Sequence, residues 1–160
     1  MKVYSFTLKK IDTKTWVIST FLLLLTMALG ATNITFFGIK LHIFQLAVFV
    51  CAIGFGALFG GIVGAFGSLV PAVLTGNPFI VLFNGLLGYF FGKFYEGKAL
   101  LALVKSLIIV FPTIFVADYF VVGMPLSQLL VLLAFLGALN VIWALLAKNI
   151  CEFVRRLNHR

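Results

Sequence analysis

A chain of 160 residues that is 63% hydrophobic and only 10% charged, with a mean hydropathy of +1.22, has too little polar surface to coat a water-soluble domain of its size. That composition excludes a soluble globular enzyme and points to an integral membrane protein with one membrane domain over 1–160. The formal charge of +8 does not signal nucleic acid, because the basic residues gather at the two ends and in one short loop, as membrane orientation requires.

In chain order, Lys2, Lys9, Lys10 and Lys14 precede an apolar run, 16–31, that ends in Ala28-Leu29-Gly30. The small residues there resemble a signal-peptide cleavage site, but the run is long for a signal sequence and the chain beyond it is membranous throughout. An uncleaved first span is therefore expected. Thr32 to Thr35 form a polar outer loop. From Leu41 to Gly92 no Asp, Glu, Lys or Arg occurs over 52 residues, and a single helix of that length would measure about 78 Å, far beyond a hydrocarbon core of ~30 Å. The two later spans, 99–121 and 125–148, are plain. Placing both basic termini in the cytoplasm requires an even total, so the uncharged block contributes three spans, 41–54, 57–74 and 78–92. Gly54-Phe55-Gly56 and Thr75-Gly76-Asn77-Pro78 mark the breaks between them.

The expected fold is thus all-α: a compact bundle of six transmembrane helices in the plasma membrane, crossing it several times with both termini cytoplasmic. Lys93 and Lys98, in the loop after the fourth span, then also fall inside, leaving only Lys40 outside and Lys105 within a span. Lys105 lies six residues into its span, so its ammonium reaches the cytoplasmic surface by snorkelling over ~9 Å; the alternative is an inward-facing cation paired to a bundle or partner group.

The third span has an unusual face. Gly56, Gly60, Gly64 and Ser68 recur every four residues, with Ala57, Gly61 and Ala65 in the neighbouring column. Interior glycines cost about 1 kcal/mol each against alanine in a water-exposed helix, whereas in a bilayer a small-residue face lets another helix approach closely.

Reactive groups are few. Two Asp, two Glu, two His and two Cys are scattered along the chain, without the spacing of a zinc protease, a nucleophile elbow or a paired-aspartate magnesium site. No enzyme activity, cofactor or metal is expected, and Cys51 and Cys151 read as inert thiols. Gly88-Tyr89-Phe90-Phe91-Gly92-Lys93-Phe94 is one residue short of a phosphate loop and lacks the hydroxyl after lysine, so it reads as a helix end.

Polar residues inside spans carry more information, because each costs free energy in lipid unless it faces the bundle or a cavity. Gln45, Asn84, Asp118, Tyr119 and Gln128 all fall near the outer ends of their spans and form the expected substrate-binding set, with Asn33, His42, Asn77 and Ser127 around the same mouth. Phe36, Phe37, Phe44, Phe83 and Phe115 could supply stacking walls for a flat heteroaromatic ligand. Each has a plainer reading. Gln45 and Asn84 could be interhelical hydrogen-bonding residues, at ~0.6 kcal/mol on average, and His42, Asp118 and Tyr119 boundary residues. Asn140 and Tyr89 sit deeper and read as helix contacts.

The chain as a whole resembles the substrate-binding S components of energy-coupling factor (ECF) transporters. The resemblance rests on six short spans with basic ends, on Phe44-Gln45-Leu46-Ala47, on the glycine-rich run from Ala57 to Ser68, and on Gly76-Asn77-Pro78-Phe79 followed by Asn84 to Gly92. It implies a vitamin-like ligand held near the outer face, and docking onto a membrane coupling subunit that carries two cytoplasmic ATPases. The Ala-x-x-x-Ala docking pattern of the family's first span is absent here, Ala28 and Ala31 being three apart, which shifts the expected docking surface to Gly56, Gly60 and Gly64, a face that could equally meet the bundle's own helices. A different class of function remains open at this point: a non-transport membrane scaffold of the cell-shape type, with protein partners and no ligand. A membrane enzyme or a self-sufficient ion channel has less to support it.

Overall fold

The computed structural model describes residues 13–32, 35–36, 39–40 and 43–158. The sequence readings at Lys2, Lys9, Lys10, Asn33, Phe37, His42 and Arg160, and those on the side chains of Lys14, Phe36 and Lys40, lie outside the described residues.

Helices dominate: α1 (Thr13–Gly30), α2 (Gln45–Phe55), α3 (Ala57–Gly67), α4 (Leu69–Thr75), α5 (Phe79–Phe94), α6 (Ala99–Val116) and α7 (Leu126–Asn158), with a π-helical turn over Ala117–Val121 closing α6. Where the sequence reading has a plain polar loop, Thr35–Phe36 (β1) pairs antiparallel with Ile39–Lys40 (β2) in a two-residue ribbon. Three helical segments are long and apolar enough to cross a membrane: Ala57–Thr75, Ala99–Val121 and Leu126–Leu157. The apolar parts of α1, α2 and α5 are shorter. With 11 residues, α2 rises only about 16 Å, and its length is matched by enclosure. Gln45, Ala47, Val48, Phe49, Cys51, Ala52 and Ile53 are all buried, so α2 satisfies its apolar surface against protein. Phe49 meets Phe91 of α5 with ring centroids 4.4 Å apart.

The helix boundaries have local causes. Gly56 at φ 94° separates α2 from α3, and Gly76 at φ 69° ends α4; both are left-handed positions where a Cβ would clash with the backbone. One break is not at a glycine. The expected third span is divided at Ser68, because Pro71 has no N–H to give the Gly67 carbonyl four residues earlier and its ring crowds that oxygen. The Ser68 hydroxyl stabilises the break by donating to the carbonyls of Gly64 (2.7 Å) and Ala65 (3.0 Å).

The glycine face of α3, open from the sequence to either the chain's own helices or a partner, packs against the chain's own helices at Gly60 and Gly64. A Cβ on Gly60 would lie 2.6 Å from both the Ala52 side chain and the Gly88 carbonyl oxygen, and one on Gly64 would overlap the Asn84 carbonyl. From the other side, a Cβ on Gly88 would overlap the Gly60 carbonyl, and one on Gly67 would strike Thr26 of α1. Backbone meets backbone along the α3–α5 seam, as small-residue faces permit. Gly56 is half-buried with open space at its missing Cβ, and its role is the turn.

Lys105 is exposed, with its ammonium 5.9 Å from the centre of the Phe94 ring. It points along α6 toward the α5–α6 connection and away from the interior. Helix α7 runs on for 33 residues without a break at Lys148, about 50 Å at 1.5 Å per residue. It carries Arg155 and Arg156 in its last turn and a half-exposed Lys148–Glu152 pair at 3.6 Å, a geometry that adds little stability.

Candidate ligand cavity

Helices α5, α6 and α7 enclose a cavity of about 800 Å³, with the first residue of α2 contributing to its wall. Its walls are aliphatic for the most part: Ile80, Leu87, Leu107, Val110, Ile114, Val131, Leu132 and Leu136, with Phe83 and Phe111 as the aromatic members. Of the described phenylalanines expected to form stacking walls, Phe83 lines it. Phe44 is fully buried elsewhere in the core, and Phe115 stacks on Tyr119 at 5.6 Å.

The polar lining is assembled at helix ends. Gly76 turns the chain out of α4 and places Asn77 before Pro78, where its side-chain oxygen accepts from the Phe79 N–H at 3.0 Å. That bond fixes the amide orientation, so the Asn77 Nδ2 donates to Asp118 Oδ1 at 2.9 Å. Asp118 is held from its own side by the π turn, in which the Val122 N–H bonds the Ala117 carbonyl and the Met124 N–H the Asp118 carbonyl, at 3.0 and 2.9 Å. The extra residue of a π turn redirects side chains, and such turns concentrate at functional sites. Asp118 is 3% exposed and takes part in no ion pair among the described residues.

One level deeper, the Asn84 Nδ2 donates to the Ile80 carbonyl at 2.8 Å, which leaves its Oδ1 to accept from Gln45 Nε2 at 3.3 Å. Gln45 is therefore oriented with Oε1 unpartnered, although the residue is 4% exposed. Deeper still, Asn140 on α7 is 2% exposed and its Oδ1 has no partner. Thr75, Ser127 and Gln128 complete the polar lining.

Four of the five expected binding residues, Gln45, Asn84, Asp118 and Gln128, thus line one cavity. Tyr119 is not among the lining residues; it is exposed at 39% and packs edge-on against Phe120 at 4.9 Å. Asn140, read from the sequence as a helix contact, lines the cavity, and its signal was its chemistry: an amide well inside a long apolar helix. Among the described residues no three His, Cys, Asp or Glu side chains come together as metal ligands, and Asp118 is the sole charged side chain in the lining. The arrangement suits reversible binding of a small molecule by shape and hydrogen bonds.

Compared with protein-family models, with curated proteins and with solved structures, the chain has no match in any of the three.

Proposed function

We propose that this chain is the substrate-capture subunit of an ECF-type importer for a vitamin or related micronutrient, crossing the plasma membrane six times with both termini cytoplasmic. The observation that carries the reading is the placement of the cavity. Asn77, Asp118 and Ser127 line it where α5 and α7 begin and α6 ends, whereas Lys93, Lys98, Lys148, Arg155 and Arg156 lie toward the opposite ends of the helices. By the positive-inside rule the basic ends face the cytoplasm, which turns Asn77 and Asp118 to the outside, where a capture protein meets its ligand. A volume of about 800 Å³ falls within the range of small-molecule sites. A membrane scaffold has no need of such a cavity.

Nothing in the chain supplies energy for transport, so the reading requires a membrane coupling subunit with two cytoplasmic ATPases. The surface that meets them lies elsewhere than Gly60 and Gly64. The test is native mass spectrometry of the chain purified from its own membranes in lipid discs. One small molecule per chain and co-purification with an ATPase pair are expected; a folded, empty chain that recovers no ATPase refutes the reading.

A further inference from the structure

We propose that the ligand of this cavity is a cation bearing N–H groups, a protonated amine, amidine or amino-substituted heterocycle, whose charged end pairs with Asp118 while a second N–H donates to Gln45 Oε1. The proposal rests on the capture reading for the existence of a ligand, and adds its charge and hydrogen-bonding character.

The argument is one of unmatched polarity. Buried polar atoms are nearly always paired, and those that are not call for an explanation. Two of the amides lining the cavity use both their oxygen and their nitrogen in orienting their neighbours. Asn77 accepts from Phe79 and donates to Asp118; Asn84 accepts from Gln45 and donates to Ile80. One N–H of each of these amides stays free, but the buried lining atoms left with no partner at all are acceptors, Gln45 Oε1 and Asn140 Oδ1, and the Asp118 carboxylate has a single amide donor among the described residues. Among the described residues no Lys, Arg or His lines the cavity. An anionic ligand would find no counter-charge there and would face Asp118, whereas a cation supplies what a buried carboxylate with a single amide partner lacks.

The spacing defines a size. Asp118 is bonded by Asn77, two residues ahead of α5, and Gln45 by Asn84, five residues into it, a separation of about 10 Å at the helical rise. Between them lie the aliphatic wall and Phe83, so the ligand is apolar in its middle with N–H groups about 10 Å apart. Asn140 lies deeper and retains both faces of its amide, so it accepts or donates according to what reaches it.

The test uses the full chain in lipid discs, with two planar isosteres as probes: benzamidinium and benzoate. Benzamidinium at millimolar concentration is expected to raise the unfolding temperature and benzoate to leave it unchanged. Asp118→Asn retains an oxygen for Asn77 and so keeps the fold, and its affinity for benzamidinium should fall about 10- to 100-fold, the loss of a charge-assisted hydrogen bond. Gln45→Leu should weaken binding of any released native compound that carries a second N–H. Equal stabilisation by benzoate, no response to benzamidinium, or an unchanged response in Asp118→Asn overturns the proposal. Compounds released from the wild-type chain separate the two readings. A released carboxylate or phosphate defeats the cation proposal while leaving substrate capture intact, and a released cation supports both.

Discussion

Asn77 joins a turn to a carboxylate, and its substitution should separate those two roles. Asn77→Ala removes the bond to the Phe79 N–H and the amide donor on Asp118, a loss expected to lower stability by about 1–2 kcal/mol. Asn77→Asp keeps the acceptor for Phe79 but places a second acid beside Asp118, so it should preserve more of the helix start and yet be the less tolerated of the two at neutral pH. Thermal unfolding in detergent across pH distinguishes them: the aspartate variant should recover toward wild type as the pH falls and one carboxyl is neutralised, and the alanine variant should not. At this scale the site was largely legible. Gln45, Asn84 and Asp118 stood out because a polar side chain in an apolar span demands a reason. Tyr119 was less so, because nothing in the spacing announces a π turn. Ring-on-ring packing with Phe115 and Phe120 holds it instead. Asn140 was undervalued because depth along α7 was taken as distance from the cavity, and the cavity follows the helix inward.

The elements are governed by glycine, and two substitutions of the same kind should have opposite results. A Cβ on Gly64 overlaps the Asn84 carbonyl, whereas one on Gly54 meets nothing within 4 Å. Gly64→Ala should therefore push α3 from α5 and cost about 1–3 kcal/mol, the range of overpacked cores. Gly54→Ala lies in a regular helix with open space and should be neutral or stabilising by up to ~1 kcal/mol. Chemical or thermal unfolding of the two single variants decides it, and the Gly64 variant should also disturb the cavity wall, since Asn84 orients Gln45. The small-residue face was plain in the sequence; its occupant was not. The complement was nevertheless present, in Gly85, Gly88 and Gly92 of α5, and two glycine columns in consecutive spans identify each other better than either identifies a partner. The break at Ser68 escaped notice because Pro71 acts upstream, on the carbonyl four residues before it.

For the whole molecule the prediction concerns orientation. Glu96, in the connection after α5, and Pro125, just before α7, are both exposed and lie at opposite ends of α6. In a background with Cys51 and Cys151 replaced by alanine, Pro125→Cys should react with a membrane-impermeant maleimide on intact cells, and Glu96→Cys only after the membrane is opened; the reverse pattern refutes cytoplasmic basic ends. The all-helical plan was readable because hydropathy is a property of the whole chain. Six helical segments could be counted where, among the described residues, three meet the length of a membrane crossing, because enclosure replaces length for a helix such as α2.

The α3–α5 seam also bears on how this chain can change over time. With carbonyl oxygens of Gly60 and Asn84 standing where side chains would be, neither helix can acquire even a methyl group there without displacing the other, and no single compensating substitution on the facing helix removes a backbone atom. A saturation mutagenesis map should accordingly place its most invariant columns at featureless glycines. Ligand preference could then drift between descendants of this chain while the seam stays fixed, leaving a lineage recognisable by the residues that have no side chains.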